Sequence, residues 1–129
     1  MEITMKDILP LNEFYQRVKN NNKLSIKTAY KFSKLFSNLD NEVAFYQNKI
    51  SELIQKYGAR DEDGNLISTD DKNYISIKED ERQECEKELN ELADIKVEMK
   101  DITFNLDELE NLELSIGDLK ILNPFIIEE

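Results

Sequence analysis

The sequence predicts a mainly α protein with a small β part, an α+β fold. A long helical hairpin carries a β-hairpin at its tip and is packed by an N-terminal helix and by a C-terminal strand plus short helix. Three observations point there. Phe32, Phe36, Leu39, Val43, Tyr46, Ile50, Leu53 and Tyr57 recur at alternating spacings of four and three, the register of an a/d helical seam. Strand-like alternation is confined to short stretches between turn signals. Only three Gly and two Pro occur in 129 residues, with 40% apolar and 35% charged side chains, a balance that suits a folded helical chain rather than a disordered one.

The first helix is expected over residues 7–20. Ile8, Leu11, Phe14, Tyr15 and Val18 share one face, Asp7 stands at the N-cap and Pro10 fits the first turn. Asn20, Asn21 and Asn22 end it, because Asn competes for local backbone bonds. Ser25 caps a second helix, which the seam carries to Tyr57 and Gly58 stops. A helix over 25–57 would extend about 50 Å. A stripe this narrow gains its stability from a partner helix lying along it.

A β-hairpin is expected over 59–77. Asp61-Glu62-Asp63-Gly64-Asn65 is a turn signal, Leu66-Ile67 and Tyr74-Ile75-Ser76-Ile77 are strand-like, and Thr69 to Asn73 connects them. The third helix follows over 78–94, with Cys85, Leu89 and Leu92 facing inward and Glu79, Asp80 and Glu81 stabilising its first turn. From 95 to 129 the pattern gives a strand (Ile95, Val97 and Met99 on one face), short helical turns at Leu106, Leu109 and Leu112, and a last helix over 116–122 capped by Ser115 and closed by Pro124. The length suits one domain, 1–129.

Charge is divided unevenly. Residues 1–59 carry nine Lys or Arg and six Asp or Glu, a net of +3, whereas residues 60–129 carry eight and 22, a net of −14. An acidic half repels nucleic-acid phosphate and favours encounter with a basic protein surface. The carboxylates expected to meet such a partner are Asp61, Asp63, Asp70 and Asp71 at the hairpin tip, and Glu84, Glu88 and Glu91 on the third helix. Lys23, Lys27, Lys31 and Lys34 line up opposite the seam as a basic stripe, a docking strip for an anion or a solvated face. Tyr15, Tyr30, Tyr46, Tyr57 and Tyr74 are candidate interface anchors, Tyr46 and Tyr57 being accounted for by the seam.

No catalytic, cofactor or metal site is expected. The chain has no His and one cysteine, Cys85, so His-activated nucleophiles, the usual zinc ligand sets and an intrachain disulfide are all excluded. Counting back from Gly64 puts Ala59 where a calcium-binding helix-loop-helix needs an oxygen ligand. No phosphate-binding glycine loop occurs. Cys85 belongs to the apolar register of its helix, and Glu84, Glu86 and Glu88 around it would suppress the thiolate. No apolar run approaches a membrane span, and no targeting segment is recognisable.

Three stretches carry a resemblance. Leu24-Ser25-Ile26-Lys27-Thr28-Ala29-Tyr30-Lys31, then Tyr57-Gly58-Ala59-Arg60-Asp61-Glu62-Asp63-Gly64-Asn65, and the ending Leu122-Asn123-Pro124-Phe125-Ile126 resemble, in kind and order, small uncharacterised proteins of tailed phages and prophages of Gram-positive bacteria. The resemblance covers most of the chain, and its motifs are capping and turn chemistry. It implies no known catalytic residues and a phage origin, where small acidic proteins act as inhibitors of host or defence proteins or as virion assembly factors. With the missing catalytic machinery and the acidic second half, the leading expectation is a non-enzymatic inhibitor of a host or anti-phage defence protein in the cytoplasm of the infected bacterium. The alternative, which the seam suggests, is a virion, tail-assembly or chaperone-like protein that self-associates through the long helix and is virion-associated. Nucleic-acid binding through the lysine stripe is a third reading.

Overall fold

A computed structural model describes residues 1–21, 23–69 and 74–127. The structure is mainly helical with small two-stranded sheets, in agreement with the α+β expectation. In chain order the elements are β1 (Glu2–Thr4), α1 (Ile8–Val18), α2 (Ile26–Leu35), α3 (Leu39–Tyr57), α4 (Arg82–Ala93), β2 (Lys96–Glu98), β3 (Phe104–Asn105), α5 (Ile116–Leu122) and β4 (Ile126–Ile127). Single 3₁₀ turns at Met5–Asp7, Glu79–Glu81, Leu106–Leu109 and Asn123–Phe125 lead into or out of these elements. The chain divides into two compact units, one comprising Met1–Val43 and Lys96–Glu129 and the other Ala44–Ile95.

The helix expected over 25–57 is bent into α2 and α3. Phe36 leaves helical geometry at ψ 9°, and the Ser37 hydroxyl donates to the Lys34 carbonyl at 2.9 Å. Asn38 Oδ1 then accepts from the Asn41 side-chain Nδ2 at 2.8 Å. Ser and Asn side chains offer the backbone local partners that compete with the helical ladder, so the pair Ser37-Asn38 interrupts a seam whose apolar register runs straight through it. The start of α2 is as expected: the Ser25 hydroxyl accepts from the Thr28 amide at 3.1 Å.

The first unit is organised around aromatic side chains. Phe32 of α2 stacks on Phe104 of β3 with centroids 4.5 Å apart, and Phe14 of α1 lies 6.0 Å from Phe32. Phe14, Phe104 and Phe125 are fully buried together with Met5, Ile8, Leu11, Leu39 and Leu122. Each such aromatic pair adds roughly 0.5–1.5 kcal/mol beyond its area burial. Two small sheets close the unit. β1 and β2 pair antiparallel with Ile3 opposite Val97, both buried, while β3 and β4 pair in parallel with Phe104 opposite Ile126. The strand expected from Ile95 is therefore β2. The parallel pair was not foreseen, because two-residue strands carry no periodicity. α1 begins one residue after Asp7. That carboxylate accepts from the Thr4 amide and hydroxyl at 3.2 and 2.8 Å, so it caps the preceding 3₁₀ turn instead of α1.

In the second unit α3 ends in a small three-way β junction. Segments around Gly58–Arg60, Leu66–Ser68 and Ile75–Ile77 are joined by bridges Gly58 to Ile77, Arg60 to Leu66 and Ser68 to Ile75. The expected pairing of the two hairpin arms is present, residues 58–60 add a third arm to it, and residues 70–73 of the expected connection lie outside the described residues. A Cβ on Gly58 would lie 2.5 Å from the Ile54 carbonyl oxygen and 2.6 Å from Leu66 Cδ2, so the close approach of the arms requires glycine there. Gly64 holds φ at +83° in the turn that Asp61 organises, a conformation glycine adopts without steric penalty. The Lys78 amide donates to the Tyr57 carbonyl at 2.9 Å and ties the end of α3 to the lead-in of α4.

Candidate partner-binding groove

α3 and α4 do not meet along their whole length. Within the second unit they leave a groove of about 410 Å³, in the size range of small-ligand and side-chain pockets. Phe45, Leu53, Leu92 and Ile95 form its apolar lining, and Lys49, Glu52, Lys56, Glu88 and Glu91 its rim. Helical spacing explains the arrangement. Phe45, Lys49, Glu52 and Lys56 follow one another at intervals of three and four on the flank of α3 next to the seam. Glu88, Glu91 and Ile95 do the same along α4 and just beyond it. Phe45 is 40% exposed and Ile95 39% exposed, two apolar side chains open to solvent in one depression.

Near the end of α3 the groove is held electrostatically. Lys56 donates to Glu88 at 3.3 Å and its ammonium sits 4.9 Å from the Tyr57 ring centroid. The buried Tyr57, first, and Lys56, next, hold Glu88 below the ordinary carboxylate range against the opposing effect of burial. Tyr57 is pushed up by the neighbouring Glu88 and by burial. Further back along α3 Lys49 pairs with Glu52 at 3.1 Å on the exposed surface, whereas Glu91 makes no ion pair among the described residues.

The carboxylates expected to meet a partner are thus placed differently. Glu88 and Glu91 line the groove, Glu88 already neutralised and Glu91 open. Glu84 is exposed on the same face of α4, one turn before Glu88. Asp61 is a turn organiser: its Oδ1 accepts from the Asp63 and Asn65 amides at 2.9 and 3.0 Å. Asp63 is exposed beside it, and Asp70 and Asp71 lie outside the described residues. Among the described residues no three Cys, Asp or Glu side chains converge as a metal site requires, and no helix is long and apolar enough to cross a membrane.

The lysine stripe is not continuous. Lys31 is turned into the first unit, where it donates to the Thr103 carbonyl at 2.6 Å and to Glu108 at 2.8 and 2.9 Å. Glu108 is lowered by Lys31 first and by the Asn105 amide next, against burial. Lys23 and Lys27 are exposed, and Lys34 lies over the Tyr30 ring at 5.4 Å. Cys85 is buried, and burial, followed by Glu88 and Glu86, raises its thiol. Leu89, expected to face inward, is 37% exposed.

Phe45 was missed by sequence reasoning: it stands one position outside the apolar register of the seam, whereas Ile95 was assigned to the strand alternation with Val97 and Met99 and stands instead just before β2, at the groove. An apolar side chain beside, rather than within, a complete seam is the signal that was available. No family model, curated protein or solved structure matches the chain.

Proposed function

We propose that this chain is a non-enzymatic, phage-encoded protein that binds another protein through the α3–α4 groove and so alters its activity. The partner is a host or anti-phage defence protein presenting a basic amphipathic helix. The observation carrying this reading is the coincidence, in one groove, of solvent-exposed Phe45 and Ile95 with the open carboxylate of Glu91. An apolar ridge fills such a lining while a flanking Lys or Arg meets the acidic rim, the helix-in-groove mode of recognition. The net charge of −14 over residues 60–129 steers a basic partner toward it. The resemblance to phage proteins supports placing that partner in the infected cell.

Fluorescence anisotropy with a labelled Leu/Lys amphipathic helical peptide tests the groove directly. Saturable binding is expected, weakened at least tenfold by Phe45→Asp and made less salt-dependent by Glu91→Gln. Equal binding by wild type and Phe45→Asp would remove the groove from consideration. Capture from host lysate, competed by free wild-type protein and not by Phe45→Asp, then identifies the natural partner.

A second reading, a virion or tail-assembly protein associating through the long helix, is supported by the partial exposure of Tyr46 and Ile50 in the seam of α3. It requires that Ile50→Asp dissociate an oligomer seen by light scattering. The engagement of Lys31 with Glu108 weighs against the third reading, nucleic-acid binding along α2.

A further inference from the structure

The exposed side of α2 carries a feature that the first unit does not use. Thr28, Phe32 and Leu35 are buried on one side of the helix, while Ile26 is 90% and Tyr30 62% exposed on the other. Lying at i and i+4, they form a short apolar ridge. Lys27 and Lys34 flank the ridge on one side, and the small Ala29 and Ser33 flank it on the other. An isoleucine nearly bare of protein contact in a helix otherwise folded by its apolar face contributes nothing to the stability of the monomer. Ridge and groove are complements: one is an apolar ridge with lysines along one edge, the other an apolar depression whose rim pairs Lys49 with Glu52 and Lys56 with Glu88 and leaves the Glu91 carboxylate open.

We propose that the groove takes the Ile26–Tyr30 ridge of α2 from a second copy of this chain, an inference resting on the reading of the groove as a protein-docking site. Tyr30 and Ile26 enter between Phe45 and Ile95, and Lys27 or Lys34 meets Glu91. Because ridge and groove are different surfaces, the contact is heterologous, and each copy keeps one unused ridge and one unused groove. Association therefore continues head to tail beyond the dimer. The small area of a two-residue ridge places it among weak, reversible contacts, so host partners with a stronger basic helix displace it.

The test is sedimentation velocity of the full chain from low micromolar to submillimolar concentration, with two variants at exposed positions, Tyr30→Asp and Phe45→Asp, whose folding is checked by circular dichroism. Wild type is expected to grow past the dimer with concentration and to shrink at high salt. Each variant alone is expected to stay monomeric at concentrations tenfold above those at which wild type associates. An equimolar mixture of the two is expected to form dimers and nothing larger, since it contains one intact ridge facing one intact groove. A wild type that stays monomeric, variants that associate like wild type, or a mixture that stays monomeric would each overturn the proposal. If wild type is monomeric yet binds the Leu/Lys peptide in a Phe45-dependent manner, the second copy is the wrong occupant and the groove stands. If peptide binding is also absent, the groove itself falls.

Discussion

Arg17 of α1 grips Asp118 of α5 with both guanidinium arms, Nη2 to Oδ1 at 2.6 Å and Nη1 to Oδ2 at 3.1 Å. The carboxylate also accepts from the Ser115 amide at 3.1 Å, while the Ser115 hydroxyl accepts from the Asp118 amide at the same distance. One nearly buried side chain thereby closes the capping box of α5 and anchors that helix to α1, two elements about 100 residues apart in the chain. Bidentate pairing of this kind adds directional constraint as well as energy.

The pair predicts a pH signature. The Arg17 guanidinium, aided by the Ser115 amide, lowers Asp118 from an ordinary value of 3.8 to about 2. A depressed carboxylate contributes its stability fully above the unfolded value and loses it as pH falls through the folded one. Asp118→Asn should thus unfold more readily than wild type at neutral pH, by about 2 kcal/mol. The gap should close between about pH 4 and pH 2, and urea melts across that range check it.

Lys31 and Lys27 should behave oppositely although they are neighbours in the same stripe. Lys31→Ala removes bonds to Thr103 and Glu108 and leaves a half-buried carboxylate without its cation, which should lower stability by roughly 1–2 kcal/mol. Lys27 is exposed, and Lys27→Ala should stay within about 0.5 kcal/mol of wild type. Equal denaturation midpoints for the two variants would contradict the internal role of Lys31.

The two turn glycines of the second unit should separate by mechanism. Gly58→Ala brings a methyl within 2.5 Å of the Ile54 carbonyl oxygen and 2.6 Å of Leu66 Cδ2, and overpacking of this kind costs about 1–3 kcal/mol. Gly64→Ala meets no neighbour but places an alanine at φ +83°, which costs about 1 kcal/mol. Hydrogen exchange should show faster opening of the Ala59, Ser76 and Lys78 amides in Gly58→Ala, and changes limited to the Asp61–Asn65 turn in Gly64→Ala.

Cys85 should be inert in the folded protein. It is buried in α4, and burial together with Glu88 and Glu86 raises its thiol, so the reactive thiolate is scarce at neutral pH. Reaction with an aromatic disulfide reagent should be slow in buffer and prompt in concentrated urea. Prompt modification under native conditions would mean that α4 opens readily or packs differently.

Much of the local structure was legible. Ser115 followed by Asp118 three residues on marks the start of α5, and the apolar spacing of Ile8, Leu11, Phe14 and Val18 marks α1, because caps and periodicity are short-range chemistry. The bend at Ser37-Asn38 was written in the residues too, but the unbroken seam outweighed it in reading. The groove was only half legible. Glu88 and Glu91 stood out as charges on the third helix, whereas Phe45 lay outside the seam and Ile95 read as the start of a strand.

Residue spacing alone settled which segments are helical, where most of them start and stop, and that a small β element separates α3 from α4. Those are decisions made within a few residues by backbone bonds and side-chain periodicity. Tertiary structure alone decided that Lys31 serves Glu108 rather than a surface stripe, that Phe104 stacks on Phe32 beside a parallel strand from the C-terminus, and that Phe45 faces a groove. Each depends on segments far apart in the chain meeting at one geometry, where shape and charge complementarity must outweigh the entropy of closing long loops.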